Sequence, residues 1–171
     1  MSRPPIWFER TFDFTFRVEQ HPNLCVRLRG TPTRLEEIVR GADRKVLVRK
    51  PGEKWSAQEH IGHLVDLEPL WTARIDDYLT GASQLTAADL SNRRTHEAQH
   101  NRRAIGEILA DFRSARFRTM SRIETIDPAN FGHTLLHPRL KTPMRLVDHL
   151  YFVAEHDDHH LAHIWDLIQT S

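Results

Sequence analysis

The sequence contains a single cysteine, Cys25, and this scarcity excludes an internal disulfide. It also contains no apolar run of the roughly 20 residues that a membrane-spanning helix needs. The first residues, MSRPPIWFER, lack the apolar core of a signal peptide. Neither sign of charge dominates, because 24 Lys and Arg offset 23 Asp and Glu to a net charge of +1. We therefore expect a cytoplasmic protein that binds neither nucleic acid nor a membrane.

Internal repeats, low-complexity tracts and a recurrent strand pattern are also lacking, whereas a helical pattern occurs four times. Apolar residues recur at helical spacing over residues 22–41, 56–79, 105–123 and from 142 nearly to the C terminus. Pro32 falls inside the first of these segments, where it can kink the helix. Four amphipathic helices predict an all-α fold, a four-helix bundle formed by one domain that spans residues 1–171.

Local signals mark the ends of these helices. Ser56 and Glu59 match a capping box at the start of the second helix, and Gly81 marks its end. Thr142 followed by Pro143 predicts the start of the fourth helix. Turn-forming residues predict a connector over residues 43–54, and residues 128–141 are predicted to be a loop with a short extended piece.

The N-terminal residues differ from the rest because their pattern is extended. Phe12, Phe14, Phe16 and Val18 alternate with polar residues, which is the period of a β-strand. One strand cannot form a sheet alone. We therefore expect residues 1–20 to be an arm that lies over the bundle of residues 22–171 or over a partner subunit.

Histidine is abundant, with 12 residues, and four of them fall in the segment EHDDHHLAHI, residues 155–164. On a helix, His156, His160 and His163 lie within about 60° of one another, and His149 falls on the same arc. Apolar residues border this arc, so the imidazoles should face the interior, where several cannot all be protonated without strong repulsion. A shared divalent cation would remove that conflict. Such histidine pairs also occur as ordinary core residues, and two ligands do not make a metal site.

The second predicted helix supplies a third imidazole, in the segment WSAQEHIGHLVDLE, residues 55–68. His63 lies at the edge of its apolar stripe. If the second and fourth helices are neighbours, His63 can meet His156 and His160 across the core of the bundle. Three imidazoles leave at least one coordination position open, whereas a closed structural site more often contains cysteine.

Together, these two segments resemble those of the DinB/YfiT-like superfamily, and the resemblance covers the chain from the first helix onward. It implies a four-helix bundle of DinB/YfiT type, often a homodimer, in which one histidine of the second helix and an i, i+4 pair of the last helix hold a divalent metal. Those ligands correspond to His63, His156 and His160. Relatives include hydrolases, and also S-transferases or isomerases that use a low-molecular-weight thiol such as bacillithiol or mycothiol.

The resemblance implies a metal-dependent hydrolase or a thiol-dependent S-transferase that acts on a small molecule. Three neutral imidazoles leave the cation its full charge, so it can lower the pKa of a bound water to about 7 or hold a thiolate. We expect zinc or nickel first, although imidazole also suits copper and iron. Further candidates for the pocket or for partners of the ligands are Glu59, His60, Asp66, His96, His149, Asp157 and His163.

A non-catalytic bundle, which binds a metal or a small ligand without turnover or only dimerises, is an alternative from a different class. This alternative predicts a filled coordination sphere, completed by His163 or His149, and no pocket that water can reach. The two interpretations therefore differ in whether the histidines border open space.

A zinc protease is the third interpretation. Residues 96–100, HEAQH, match the H-E-x-x-H motif, in which the two histidines bind zinc and Glu97 would be the general base. Polar residues flank the motif on both sides, so it does not resemble the buried helix of such enzymes. A solvated loop, or a segment whose His96, Glu97 or His100 lines the mouth of the site, explains this sequence better.

Overall fold

In a computed structural model, which describes residues 4–170, four long helices form the body of the protein. They are α1 (His21–Val39), α3 (Ala57–Thr80), α5 (Ile105–Glu124) and α6 (Leu146–Gln169), with the short helices α2 (Arg44–Val48) and α4 (Arg93–Glu97) in the connections. An antiparallel hairpin of β1 (Thr134–Leu136) and β2 (Pro143–Arg145) precedes α6. Single 3-10 turns occur at Trp7–Glu9, Val18–Gln20, His100–Arg102 and Pro128–Gly132. The predicted all-α four-helix bundle is confirmed.

The order in which the long helices pack differs from their order along the chain. Helix α1 packs against α5 and α6, and α3 packs against the same two helices. Helices α1 and α3 therefore lie diagonally across the bundle, which the long connections between the helices permit. Because α3 and α6 are neighbours, side chains of the second and fourth long helices can meet in the core.

Apolar side chains fill the bundle in two clusters. The apolar faces of all four long helices point inward, so each cluster contains side chains from several helices. One cluster contains Leu35, Ile61, Leu64, Ile108, Phe112, Leu161 and Ile164. The other contains Leu28, Trp71, Ile75, Met120, Ile123, Leu150 and Phe152. Among residues 4–170, no helix has both the length and the apolar character that crossing a membrane requires.

The capping box at the start of α3 is formed as predicted. The Ser56 hydroxyl accepts from the Glu59 amide at 3.1 Å, and the Glu59 carboxylate accepts from the Ser56 amide at 2.8 Å. Gly81 follows the helix with a φ of 73°, a left-handed conformation that glycine adopts without strain. Helix α3, which carries His63, therefore begins and ends at the residues that the sequence indicated.

One local prediction was wrong, and one segment contains more structure than the sequence indicated. Helix α6 does not begin at Thr142 and Pro143, because Pro143 starts β2 and the helix begins at Leu146. The Asp148 carboxylate accepts from the Arg145 amide at 2.8 Å and from its guanidinium, so this residue pair caps the helix instead. The predicted connector 43–54 contains helix α2, whose N-cap is Asp43.

The N-terminal arm lies on the bundle, and its described part begins at residue 4. Phe12, Phe14 and Phe16 pack against the cluster that contains Phe152, although no strand forms there. Arg10 forms an ion pair with Glu155 of α6. The arm therefore covers the part of α6 that carries the histidines.

Candidate metal centre and its pocket

Three buried histidines converge between α3 and α6. One ring nitrogen from each of His63, His156 and His160 lies within 4.8 Å of the others. The Nε2 atoms of His156 and His160 are 3.2 Å apart. Two nitrogens bound to one tetrahedral zinc ion at 2.0–2.1 Å lie about 3.3 Å from each other. The spacing of this pair therefore fits a common ion.

Hydrogen bonds to the Nδ1 atoms orient two of these rings. The Thr95 hydroxyl donates to Asp66 Oδ2 at 3.0 Å, so at the same distance it accepts from Nδ1 of His63. His63 thus carries its proton on Nδ1 and keeps a lone pair on Nε2. Nδ1 of His160 lies 2.8 Å from Nδ1 of His60, and the tautomer in which His160 donates to His60 leaves a lone pair on Nε2 of His160 for a ligand.

Asp66 ties this arrangement to the connection between α3 and α5. Its carboxylate accepts from Nε2 of His100 at 2.8 Å and lies 3.3 Å from Nε of Arg94. Burial raises the pKa of Asp66, but the hydrogen bonds from His100 and Thr95 and the nearby charge of Arg94 together outweigh burial, so the pKa is lowered. Gly62 permits this approach, because a Cβ atom there would lie 2.2 Å from the His100 ring. The connection is therefore held against the face of α3 that carries His63.

Burial also sets the protonation state of the three histidines. Each is at most 5% exposed. Burial lowers the pKa of His63 to about 4 and holds those of His156 and His160 well below their usual range. All three imidazoles are consequently neutral near pH 7 and have a lone pair to share with a cation.

A cavity of about 370 Å³ opens beside the histidines. Trp55 lies next to the site, with its ring centroid 4.7 Å from that of His63. The other walls of the cavity are mainly apolar and include Trp7, Phe8, Leu67, Leu70, Trp71 and Phe152. The wall also contains the polar side chains of Arg74, His137 and Arg139. The three histidines therefore border a pocket large enough for a small molecule.

Other candidates from the sequence lie in or next to this site. His60 lines the pocket and contacts His160, and Asp66 reaches His63 through Thr95. His163 stacks on His60 with a centroid distance of 5.2 Å. The ring of His163 is not one of the three converging imidazoles of His63, His156 and His160, so His163 does not complete a coordination sphere.

Three further candidates are engaged elsewhere. The Glu59 carboxylate caps α3 and accepts from Lys50 at 3.1 Å. Asp157 faces away from the pocket and accepts from Arg116 at 2.5 Å. His149 is fully buried beside Trp71, outside the group of three. These residues are therefore not partners of the three converging imidazoles.

The HEAQH segment does not form the helix that a zinc protease requires. His96 belongs to α4, whereas His100 belongs to a separate 3-10 turn, and Gln99 between them has a φ of 51°. His100 is buried against Asp66, and His96 contacts Trp55 with a centroid distance of 5.8 Å. The histidines thus support the pocket from outside instead of forming a second metal site.

The sequence reasoning missed four residues of this region: Thr95, Trp55, Arg74 and Arg139. Thr95 immediately precedes the HEAQH motif, but nothing in the sequence indicates that the connection folds back onto α3. Gly62, a residue without a side chain between two histidines, was a signal of close approach. The arginines could not be found, because their sequence neighbours do not indicate which of them point inward.

Fully buried His149 leads to a prediction about acid stability. Neither ring nitrogen has a hydrogen-bond partner among residues 4–170, and burial holds its pKa well below 6.5. In the unfolded chain His149 takes up a proton below pH 6.5, whereas in the folded chain it does not, so stability falls as the pH drops. His149→Leu should remove up to about 1.4 kcal/mol per pH unit of this dependence. Urea denaturation of metal-free protein between about pH 5 and 7 measures it.

Exposed His133 provides the control for this substitution. His133→Leu, measured in the same way, shows the effect of replacing a histidine whose side chain is exposed. An unaltered slope in His149→Leu would show that His149 is solvated or paired in the folded state.

The fold and the site together define a class, that of all-α bundles with a three-histidine pocket between helices. Residues 27–164 match the family model described as the DinB superfamily. The chain belongs to the DinB superfamily, as the resemblance of its two histidine segments implied.

Among solved structures, the chain is similar to YfiT from Bacillus subtilis, described as "a probable metal-dependent hydrolase with an unusual four-helix bundle topology". The TM-score is 0.79 and the sequence identity 21%, over 95% of this chain and 93% of that one. At this identity the likeness shows a shared fold. A comparison of the sequence with curated proteins gave no match.

Proposed function

We propose that this protein is a divalent-metal-dependent enzyme that acts on a small molecule, with His63, His156 and His160 as the metal ligands. The observation that carries the proposal is the convergence of three neutral imidazoles at the wall of a cavity of about 370 Å³. The description of YfiT as a probable metal-dependent hydrolase supports it. Zinc or nickel suits a site made only of imidazoles.

When bound, such a cation is a Lewis acid that polarises a carbonyl and lowers the pKa of a water or a thiol. The protein's own part is to hold three imidazoles neutral and oriented. Thr95 and His60 fix the rings of His63 and His160, and Trp55 packs over the histidines. The aromatic walls exclude bulk water from a bound substrate, which strengthens polar interactions inside the pocket.

Hydrolysis is the first candidate reaction, and transfer from a low-molecular-weight thiol is the second. Both reactions need an open coordination position beside space for a substrate, and the cavity supports either one. A non-catalytic metal-binding bundle fits less well, because the pocket borders the histidines and His149 and His163 stand outside the group of three.

Turnover with and without a thiol separates these candidates. Protein stripped with a chelator and protein reloaded with zinc or nickel would be compared on aryl esters and amides, and on an electrophile with a low-molecular-weight thiol. Metal-dependent release without thiol would identify a hydrolase, and metal-dependent loss of the electrophile only with thiol would identify a transferase. Stoichiometric metal with turnover in neither assay would favour the non-catalytic bundle.

Thr95→Val should weaken metal binding about 10- to 100-fold, which is the usual effect of removing the partner of a ligating histidine. Valine keeps the shape of threonine but can neither accept from His63 nor donate to Asp66, so the ring of His63 loses its fixed tautomer. Competition with a chromophoric chelator measures the dissociation constant.

The control is Thr125→Val, at the exposed end of α5, which should bind metal like the unaltered protein. Equal affinity in Thr95→Val would exclude a role of Thr95 in orienting His63.

The homodimer and the cytoplasmic location stay predictions. Light scattering during size-exclusion chromatography tests whether the protein is a dimer.

A further inference from the structure

Two arginines in the wall of the pocket form no salt bridge with an acidic side chain of residues 4–170. Arg74 of α3 is 2% exposed, and its polar contacts are the Thr86 carbonyl at 2.8 Å and Nε2 of His137 at 3.3 Å. Arg139, in the loop between β1 and β2, lies over Phe8 and Phe152 at 5.2 and 5.9 Å. Its buried Nη2 atom has no hydrogen-bond partner among the described residues. Both arginines line the cavity that borders the three histidines.

A buried guanidinium without a counter-ion is energetically costly, and proteins normally pair it. Arg116, which is as buried as Arg74, contacts both Glu68 and Asp157. By contrast, burial lowers the pKa of Arg74 to about 10 and also lowers that of Arg139. No carboxylate of residues 4–170 forms a salt bridge with either group. The pocket therefore carries two guanidinium groups that no carboxylate of the described residues pairs with directly.

The shape of the wall restricts what can neutralise this charge. Guanidinium groups bind carboxylate and phosphoryl oxygens with paired hydrogen bonds. Aromatic and aliphatic side chains line most of the rest of the cavity, and its volume of about 370 Å³ admits a small molecule only. Asp89 also lines it, but this exposed carboxylate accepts from the amides of Ser91 and Arg93. A ligand that fits has an apolar body and an anionic group.

We propose that the pocket binds a small molecule with an apolar body and an oxyanion group, a carboxylate or a phosphoryl, which Arg74 and Arg139 hold while the reacting part faces His63, His156 and His160. This inference rests on the proposed function and names the substrate class of that same site. Arg139 supplies unused donors, and Arg74 adds buried positive charge next to His137.

Binding of matched probes tests the inference. Phenylbutyrate and its amide have nearly the same shape but differ in charge, and phenyl phosphate represents the phosphoryl group. Tryptophan fluorescence reports binding, since Trp7, Trp55 and Trp71 line the cavity. Phenylbutyrate should bind about tenfold or more tightly than the amide, as expected for charge-assisted hydrogen bonds. Tighter binding of phenyl phosphate would identify the phosphoryl group as the preferred oxyanion.

Arg139→Gln should bring the two affinities within about twofold of each other and leave that of the amide unchanged, because glutamine removes the charge but keeps an apolar stem. Arg118→Gln, at an exposed position of α5, should preserve the preference for the carboxylate. Arg74→Lys is the second variant, because lysine keeps the charge but loses the paired donors. Melting temperatures establish that each variant is folded.

Measurements with and without metal separate this inference from the proposed function. Preference for the carboxylate in metal-free protein, lost in Arg139→Gln, supports the arginines as the anion site. Preference that appears only after metal is added and persists in Arg139→Gln would place the anion on the cation, which overturns this inference but not the metal site. Equal binding of carboxylate and amide, or no binding of any anionic probe, would also overturn it.

Discussion

His160→Ala is expected to abolish tight binding of a divalent metal while the helical bundle stays folded. His160 contributes one of three nitrogens within 4.8 Å of each other, and two imidazoles do not hold a cation firmly. At a metal concentration of about 1,000 times the dissociation constant, binding adds about 4 kcal/mol to the free energy of unfolding. The variant should lose most of this gain. Metal content after dialysis and thermal unfolding with and without zinc measure both effects.

His163→Ala is the matched control, because His163 lies on the same helix, three residues further along, and its ring contacts His60 and His159 but is not one of the three converging imidazoles. It should retain the metal and the metal-dependent stabilisation. His96→Ala should also retain the metal, since the HEAQH segment forms no site of its own. Unchanged metal content in His160→Ala would refute the proposed ligand set, and loss in His96→Ala alone would restore the protease interpretation.

The histidine cluster was predictable because its parts depend on local periodicity. His156 and His160 share a face wherever residues 155–164 form a helix, and His63 follows a capping box that fixes where α3 begins. The convergence of the two segments required one fact that the sequence does not contain. Helices α3 and α6 had to be neighbours, and the packing order of the bundle makes them so.

Long-range contacts explain what the sequence could not predict. Thr95 orients His63 only because residues 81–104 return to α3, and Gly62 makes room for His100 there. Thr142 and Pro143 have the local chemistry of a helix start, but Pro143 pairs with Leu136 in the β1–β2 hairpin. Helix α6 therefore starts later, where Asp148 accepts from the Arg145 amide. In the second case a tertiary contact overrides a local preference.

Removal of one partner from a buried ion cluster behind the histidines is expected to destabilise the bundle strongly. Arg116 of α5 donates to Glu68 of α3 at 2.8 Å, to Asp157 of α6 at 2.5 Å, and to the Leu28 carbonyl of α1 at 3.1 Å. One guanidinium thus connects all four long helices. Arg116→Met would leave two buried carboxylates without a counter-ion, so it should cost about 3–5 kcal/mol of unfolding free energy. Urea denaturation measures this loss.

Arg113→Met is the matched control, since Arg113 lies on the same helix and pairs with Glu36 at the surface. Such exposed pairs contribute about 1 kcal/mol or less. If Arg116→Met does not fold, Thr119→Val tests the cluster more gently, because it removes the hydroxyl that donates to Glu68 at 2.6 Å and should cost about 1–3 kcal/mol. Losses of similar size in the variants of Arg116 and Arg113 would contradict a structural role of the cluster.

The same cluster should affect metal binding, because Asp157 directly follows His156 in α6. Thr31 and Arg116 both donate to Asp157, which fixes the rotation of α6 relative to α1 and α5. That rotation directs His156 and His160 toward His63 on α3. We therefore expect Thr119→Val, which loosens Glu68 and Arg116 but contacts no histidine, to weaken zinc binding measurably. If its affinity for zinc equals that of the unaltered protein while its stability falls, then α3 and α6 alone determine the geometry of the three imidazoles.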